Sequence, residues 1–176
     1  MYRLLSSGIV HGHPTLYQPL QTAGWGVIEF SGSVNIGVFP SPFFFSTYSY
    51  IEARNINARI SIGEGTWINN NFCAVAEHSS ITIGKRVLIG TGVEVFDSDF
   101  HGISINNRGQ SKAAWSKPVV IEDDCFLGSN VRVLKGVTIG RGSVIANSSV
   151  VVKNIPAGVI AGGNPARVIR TINNDD

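Results

Sequence analysis

Charge is scarce in this sequence: Asp, Glu, Lys and Arg make up 15% of 176 residues and balance to a formal +2. No Lys/Arg run or basic and aromatic stripe is present to neutralise a phosphate backbone, so no nucleic-acid partner is expected. Cysteine is nearly lacking. Cys73 and Cys125 are too few for a disulfide scaffold and stand in no CxxC or Cys/His ligand spacing, so they read as small core residues in a reducing compartment, and no metal is expected. Long hydrophobic runs are lacking as well. Between Met1 and Leu20 the apolar residues are interrupted by His11, His13 and Pro14, which leaves neither a signal-peptide core nor a spanning length and predicts a cytoplasmic protein with no membrane insertion. What the chain has is 43% hydrophobic residues and 20 glycines, the make-up of a single well-buried domain over residues 1–176.

The aliphatic residues recur with a step of six: Ile121, Leu127, Val133, Ile139, Ile145 and Val151, with shorter runs Ile56, Ile62, Ile68, Ala74 and Ile83, Ile89, Val95. The next residue is often Gly or Ala, as at Gly63, Gly84, Gly90, Gly128, Gly140 and Ala146, and four residues after the aliphatic one stands a small or β-branched side chain such as Val87, Val131 or Ser149. A period of six fits neither a helix nor a long alternating strand. It fits a triangular solenoid in which each short strand sends one aliphatic residue into the shaft and each turn holds a residue tolerant of unusual backbone angles. Three sides, roughly 18 residues, make a coil, and coils stack about 4.8 Å apart.

This pattern resembles the hexapeptide-repeat family, whose members form left-handed parallel β-helices; the resemblance implies an all-β fold of that hand. The clear repeats run from about 51 to 156, behind an irregular N-terminal cap over about 1–50 in which Phe43, Phe44 and Phe45 cover the shaft end or meet a partner chain. From about 157 to 176 a C-terminal cap is expected, with a short helix from Ala166 to Ile172 and a frayed tail from Asn173.

The step breaks over a loop at about 97–118 that opens with Asp97-Ser98-Asp99-Phe100-His101-Gly102. A long loop on a rigid solenoid is a usual place for a site. The motif, followed by Lys117-Pro118 and further repeats, resembles the sugar or saccharide O-acetyltransferase branch of the family, and the resemblance makes His101 the catalytic base. Imidazole, with a pKa near 6.5, can take the proton of an acceptor hydroxyl as it attacks a thioester. Asp97 or Asp99 is the candidate to hold the other ring nitrogen, the alternative being turn chemistry. His78, after Glu77, is a second histidine placed to line a groove. For the acceptor, Trp115 and Arg108 offer a stacking face and a polar clamp. Where sugar-specific members carry an asparagine just before the cysteine, this chain has Phe72, with Asn71 one residue earlier.

On the donor side the resemblance extends through Gly128-Ser129, the stretch Ile145 to Lys153 and Gly162 to Arg170. It implies acetyl-CoA as acyl donor, held along small residues at Ser129 and Asn147, by Val152, and by the cations Lys153, Arg167 and Arg170, with a backbone amide at Ser129 or nearby as oxyanion donor. It also implies a homotrimer with sites between subunits, to which apolar Phe39, Phe43, Phe44 and Phe45 would contribute. The expected reaction is direct acetyl transfer to a saccharide hydroxyl. The alternatives are N-acetylation of an amino-sugar nucleotide, acetylation of an antibiotic, a non-catalytic scaffold, and a three-histidine metal lyase, for which four scattered histidines are a poor match.

Overall fold

The computed structural model describes residues 4–173; residues 1–3 and 174–176, the outer ends of the two expected caps, lie outside the described residues. The chain winds as a three-sided coil. The first turn is β1 (Ile9–His11), β2 (Thr15–Leu16) and β3 (Leu20–Gly24); the second is β4 (Val27–Phe30), β5 (Asn35–Ile36) and β6 (Ser49–Ala53). The third holds β7 (Arg59–Ile62), β8 (Trp67–Ile68) and β9 (Cys73–Ala76), and the fourth β10 (Ser80–Ile83), β11 (Leu88–Ile89) and β12 (Glu94–Phe96). After the loop come β13 (Val119–Ile121), β14 (Phe126–Leu127) and β15 (Arg132–Val133), then β16 (Thr138–Ile139), β17 (Val144–Ile145) and β18 (Val150–Val151). The chain ends in β19 (Val159–Gly163) and β20 (Ala166–Thr171).

Every third strand pairs in parallel, giving one sheet on each side: side A from β1 to β16, side B from β2 through β19, and side C from β3 to β18. The residues that step by six therefore stack into ladders, such as Ile62, Ile83, Ile121 and Ile139 on side A and Ile68, Ile89, Leu127 and Ile145 on side B. From Ile62 onward all of them are buried, none more than 4% exposed. The residues four places later, among them Val87, Val131, Val137 and Ser149, are buried beside them. Two inward residues per side fill the shaft, each full burial of an aliphatic side chain contributing about 1.5–3 kcal/mol.

The structure changes the role expected of the glycines. At Gly63 and Gly90 no unusual angle is needed; a Cβ would lie 2.6 Å from the backbone of the neighbouring coil, at Gly84 and Ser129 respectively. These positions hold glycine for close approach. The left-handed residue of each corner falls two places later, at Gly65, Arg86, Gly92, Asp124, Asn130, Gly142 and Ser148.

Other expectations are corrected. Ile56 is 73% exposed, because extra residues between β6 and β7 put it out of step at a corner. The region read as an irregular cap already supplies the first two coils from Ile9 onward, the second interrupted by a lateral loop between β5 and β6. Phe43–Phe45 do not close the shaft: they lie in a lateral loop between β5 and β6, anchored by buried Asn70, whose Nδ2 donates to the carbonyls of Val38 and Pro42, and by Gln18, whose Nε2 donates to that of Phe43. The expected C-terminal helix is a strand. Gly162-Gly163-Asn164-Pro165 turns the chain, and β-branched Val168, Ile169 and Thr171 favour extended backbone, so β20 returns antiparallel along β19.

Candidate active site

The loop leaves the corner between sides C and A, directly after β12, and re-enters at β13. Each residue of its opening motif has an assignable task. Asp97 is fully buried and accepts the backbone N–H groups of Glu77, His78 and Ser79 from the coil below, at 2.7, 3.3 and 2.7 Å. Its carbonyl accepts the N–H of Lys117 at 2.8 Å, which closes the base of the loop. Burial pushes its carboxyl above the usual range, against the pull of those three amides. Ser98 donates to buried Glu77 and accepts the N–H of Phe100 at 3.0 Å. The Glu77 carboxyl is held below its ordinary value by hydrogen bonds from Ser98 and Ser111 and by the nearby charges of His78 and Arg54, which outweigh desolvation.

Phe100 takes a left-handed φ of 60° and turns the chain outward. Its ring packs edge-on against Phe96 at 5.6 Å and lies under the Arg54 guanidinium at 5.0 Å. The next residue, His101, is exposed in a groove of about 250 Å³ with Asp99, Asn107, Trp115 and Lys135 along its walls. Its Nδ1 stands 3.1 Å from the carbonyl oxygen of Arg108. A carbonyl can only accept, so the neutral ring carries its proton on Nδ1 and leaves the Nε2 lone pair as the free basic site.

This corrects the expectation for both carboxylates. Asp97 is used up by backbone amides, and Asp99 forms an ion pair with Lys135; the imidazole is oriented by a main-chain oxygen instead. Lys135 also donates to the Trp115 carbonyl at 2.9 Å and ties the two ends of the loop to the coil above. Sequence reasoning missed Lys135 because it lies outside the loop; its signal was a lone cation at a corner directly above the break. Trp115 does reach the His101 groove, with Lys112 over its ring at 5.3 Å. The guanidinium of Arg108 turns back to the Ile103 carbonyl at 3.0 Å, so this residue serves the histidine through its main chain. His78 is half-buried and meets Asp97 through its backbone.

Asn71 lies elsewhere, at the corner between sides B and C, beside a cavity of about 430 Å³ with Thr47, Tyr50 and Cys73. Ser129 and Asn147 share that corner. The Ser129 N–H is not free to meet an oxyanion: it donates to Asn147 Oδ1 at 2.9 Å. Lys153, after β18, falls on the same corner as the His101 loop and is exposed, as is Val152. Arg167 and Arg170 stand on β20 at the end of side B. Within one chain, therefore, Ser129 and Asn147 occupy a different edge of the prism from His101. Among the described residues no group of three or more His, Cys, Asp or Glu is placed to hold a metal ion. No helix among them is long and apolar enough to cross a membrane.

The fold and the loop define a class: a parallel β-helical solenoid that carries a histidine on a loop thrown from one corner. Residues 118–153 match the family model described as the hexapeptide repeat of succinyl-transferase. The chain is 31% identical over 166 residues to the galactoside O-acetyltransferase of Escherichia coli, covering 94% of this chain and 75% of that enzyme. It is 36% identical over 138 residues to that of Lactococcus lactis, covering 78% of this chain and 62% of the relative. A hexapeptide-repeat acetyltransferase of Vibrio cholerae, solved in complex with acetyl coenzyme A, superposes with a TM-score of 0.56 at 30% identity, over 98% of this chain and 75% of that one. The chain belongs to the hexapeptide-repeat acetyltransferase family, and its coil is the left-handed parallel β-helix of that family. It is an enzyme of the acyltransferase class.

Proposed function

We propose that this chain transfers an acetyl group from acetyl-CoA to a hydroxyl of a sugar or polysaccharide precursor, with His101 as general base. The observation that carries the reading is the Nδ1 contact of His101 with the Arg108 carbonyl, which leaves Nε2 able to accept a proton. The acceptor O–H gives its proton to Nε2 as its oxygen bonds to the thioester carbon. When the C–S bond breaks, the same nitrogen returns the proton to the coenzyme A sulfur. Positioned base catalysis of this kind is worth about 10²- to 10⁴-fold. No enzyme thiol takes part: Cys125 is buried, and burial with Glu94 and Glu52 nearby pushes the Cys73 thiol up to about 11.

The galactoside O-acetyltransferase names of the relatives and the acetyl coenzyme A bound in the V. cholerae structure support the donor and the acceptor class. In this reading Ser129, Asn147 and Val152 line the pantetheine arm, Lys153, Arg167 and Arg170 meet the nucleotide phosphates, and Trp115 faces the acceptor. Because Ser129 and Asn147 lie on another edge from His101, a donor held by them meets the base only across two copies, which favours a homotrimer with shared sites. Asn71, on the same edge, would then serve the acceptor of a neighbouring copy. The domain is read as one unit acting in the cytoplasm.

The test is release of coenzyme A thiol from acetyl-CoA with galactosides and with amino-sugar acceptors, for wild type and His101→Ala. Loss of about 10²-fold or more in turnover, with acetyl-CoA binding kept by calorimetry, is the expected result. Wild-type turnover in the variant overturns the base assignment, and turnover confined to amine acceptors overturns the hydroxyl reading.

A further inference from the structure

We propose that the groove beside Trp25 is a saccharide subsite that extends the acceptor position of the loop toward the N-terminal coil, so that the preferred acceptor is an oligosaccharide. The proposal rests on the reading of the His101 loop as the acceptor site. The groove has a volume of about 480 Å³, nearly twice that around His101, with Gly24, Trp25, Glu52 and Arg54 among its walls. That size lies within the range of small-ligand sites.

The indole is presented on a rigid corner. Trp25 is 79% exposed, while its backbone N–H donates to the Arg54 carbonyl at 3.2 Å. Both flanking glycines are forced by close approach: a Cβ on Gly24 would lie 1.9 Å from the Ala53 carbonyl oxygen, and one on Gly26 would lie 2.3 Å from that of Ala58. An exposed aromatic face carried on a main chain held this way is what the apolar side of a pyranose ring stacks on.

Beside it stands a polar wall in which two carboxylates share the Arg54 guanidinium, Glu52 and, at 3.6 Å, Glu77. Glu52 accepts from Arg54 Nε at 2.9 Å, Arg54 Nη2 at 3.0 Å and the Tyr50 hydroxyl at 3.1 Å. A carboxylate and a guanidinium held this way keep lone pairs and N–H groups for sugar hydroxyls, which both donate and accept. A neutral sugar suits this wall better than a phosphate or an acidic peptide, since the Arg54 charge is already balanced.

Arg54 also joins the groove to the loop, because the same guanidinium covers the ring of Phe100, the residue before His101. Trp25, Arg54, Glu77 and the loop follow one another along the corner between sides C and A, coil by coil. Three coil spacings separate the first from the last, roughly 14 Å, farther than one pyranose ring reaches. An acceptor that touches both must have several units.

The probes are methyl β-galactoside and β-linked galacto-oligosaccharides of two to four units. They are used in two ways: as acceptors, and as ligands without acetyl-CoA followed by tryptophan fluorescence. For wild type the KM is expected to fall about tenfold with length, the worth of one stacked ring, with a matching gain in affinity. Trp25→Ala flattens both dependences, and Trp25→Phe restores part of them. The proposal is overturned if wild type shows no preference for the longer probes, or if Trp25→Ala keeps it. His101→Ala separates this idea from the catalytic one: it should lose turnover and keep length-dependent binding, whereas turnover retained alongside that binding would sink the base assignment alone.

Discussion

His101 Nδ1 and the carbonyl oxygen of Arg108 lie 3.1 Å apart across seven residues of one loop. The proposed base is thus oriented by main chain, and its geometry depends on the path from 101 to 108. Gly102 controls that path. It is buried, its N–H donates to the Gln110 carbonyl at 3.0 Å, and a Cβ there would sit 2.4 Å from the Asn107 carbonyl oxygen. Gly102→Ala should push Asn107 and Arg108 away from the imidazole and lower kcat by about 10²-fold, the cost of roughly 1 Å of misplacement. The KM for acetyl-CoA and the urea midpoint should stay close to wild type. Steady-state kinetics check this, and an unchanged kcat would mean the carbonyl does not set the base.

The two aspartates of the motif should separate cleanly on mutation. Asp97→Ala leaves three amide N–H groups of the coil below without their acceptor, that of Glu77 buried and those of His78 and Ser79 part-buried. At about 1–3 kcal/mol for a buried donor left unsatisfied, and less where water can reach it, the expected loss in urea unfolding is roughly 2–3 kcal/mol. Asp99→Asn breaks only the partly exposed ion pair with Lys135, so turnover should drop by about tenfold or less. Where a carboxylate does fix the tautomer of a catalytic histidine, its amide variant loses about 10⁴-fold. A drop of that size in Asp99→Asn would restore the carboxylate to the base.

The repeat was legible because each shaft residue solves the same packing problem every six residues, so Ile121 to Val151 declare the prism without reference to any neighbour. The loop was legible as a break in that step, and His101 as the base-type residue inside it. The partner of His101 was not, because a backbone carbonyl leaves no trace in residue identity and Arg108 drew attention to its side chain instead. Lys135 and Arg54 escaped because contacts between coils join residues far apart in sequence. The last strand was misread because a run of arginine and aliphatic residues fits a helix by composition, while the decisive turn lies just before it at Asn164-Pro165.

Cys73 faces outward on side C, paired in register between Tyr50 and Glu94. Burial raises its thiol to about 11, and the carboxylates of Glu94 and Glu52 add to the effect. At neutral pH almost none of it is thiolate, the form that reacts. Cys73→Ser should keep turnover within about threefold, and wild type should form no acetyl-enzyme detectable by intact mass after mixing with acetyl-CoA alone. A 42-Da adduct of the kind acetylation leaves, roughly one per chain and lost in the serine variant, would replace direct transfer by a two-step route.

Asp124 ties three coils together at the corner between sides A and B. Its carboxylate accepts from Arg86 Nε at 2.6 Å and from Arg141 Nη2 at 2.9 Å. Those two guanidinium groups hold its pKa down to about 2, from an ordinary 3.8. A carboxyl whose folded value is depressed contributes its full stabilisation above the unfolded value and loses it as pH falls through the folded one. Thermal unfolding should therefore show Asp124→Asn melting below wild type at pH 7. The gap should begin to close under about pH 4, be mostly lost at about pH 2 and vanish only below it. Because the pair is exposed, 0.5 M salt should shrink the pH 7 gap. A gap that persists unchanged at pH 2 would mean that the asparagine disturbs the turn, where φ is 60°, and that the charge contributes nothing.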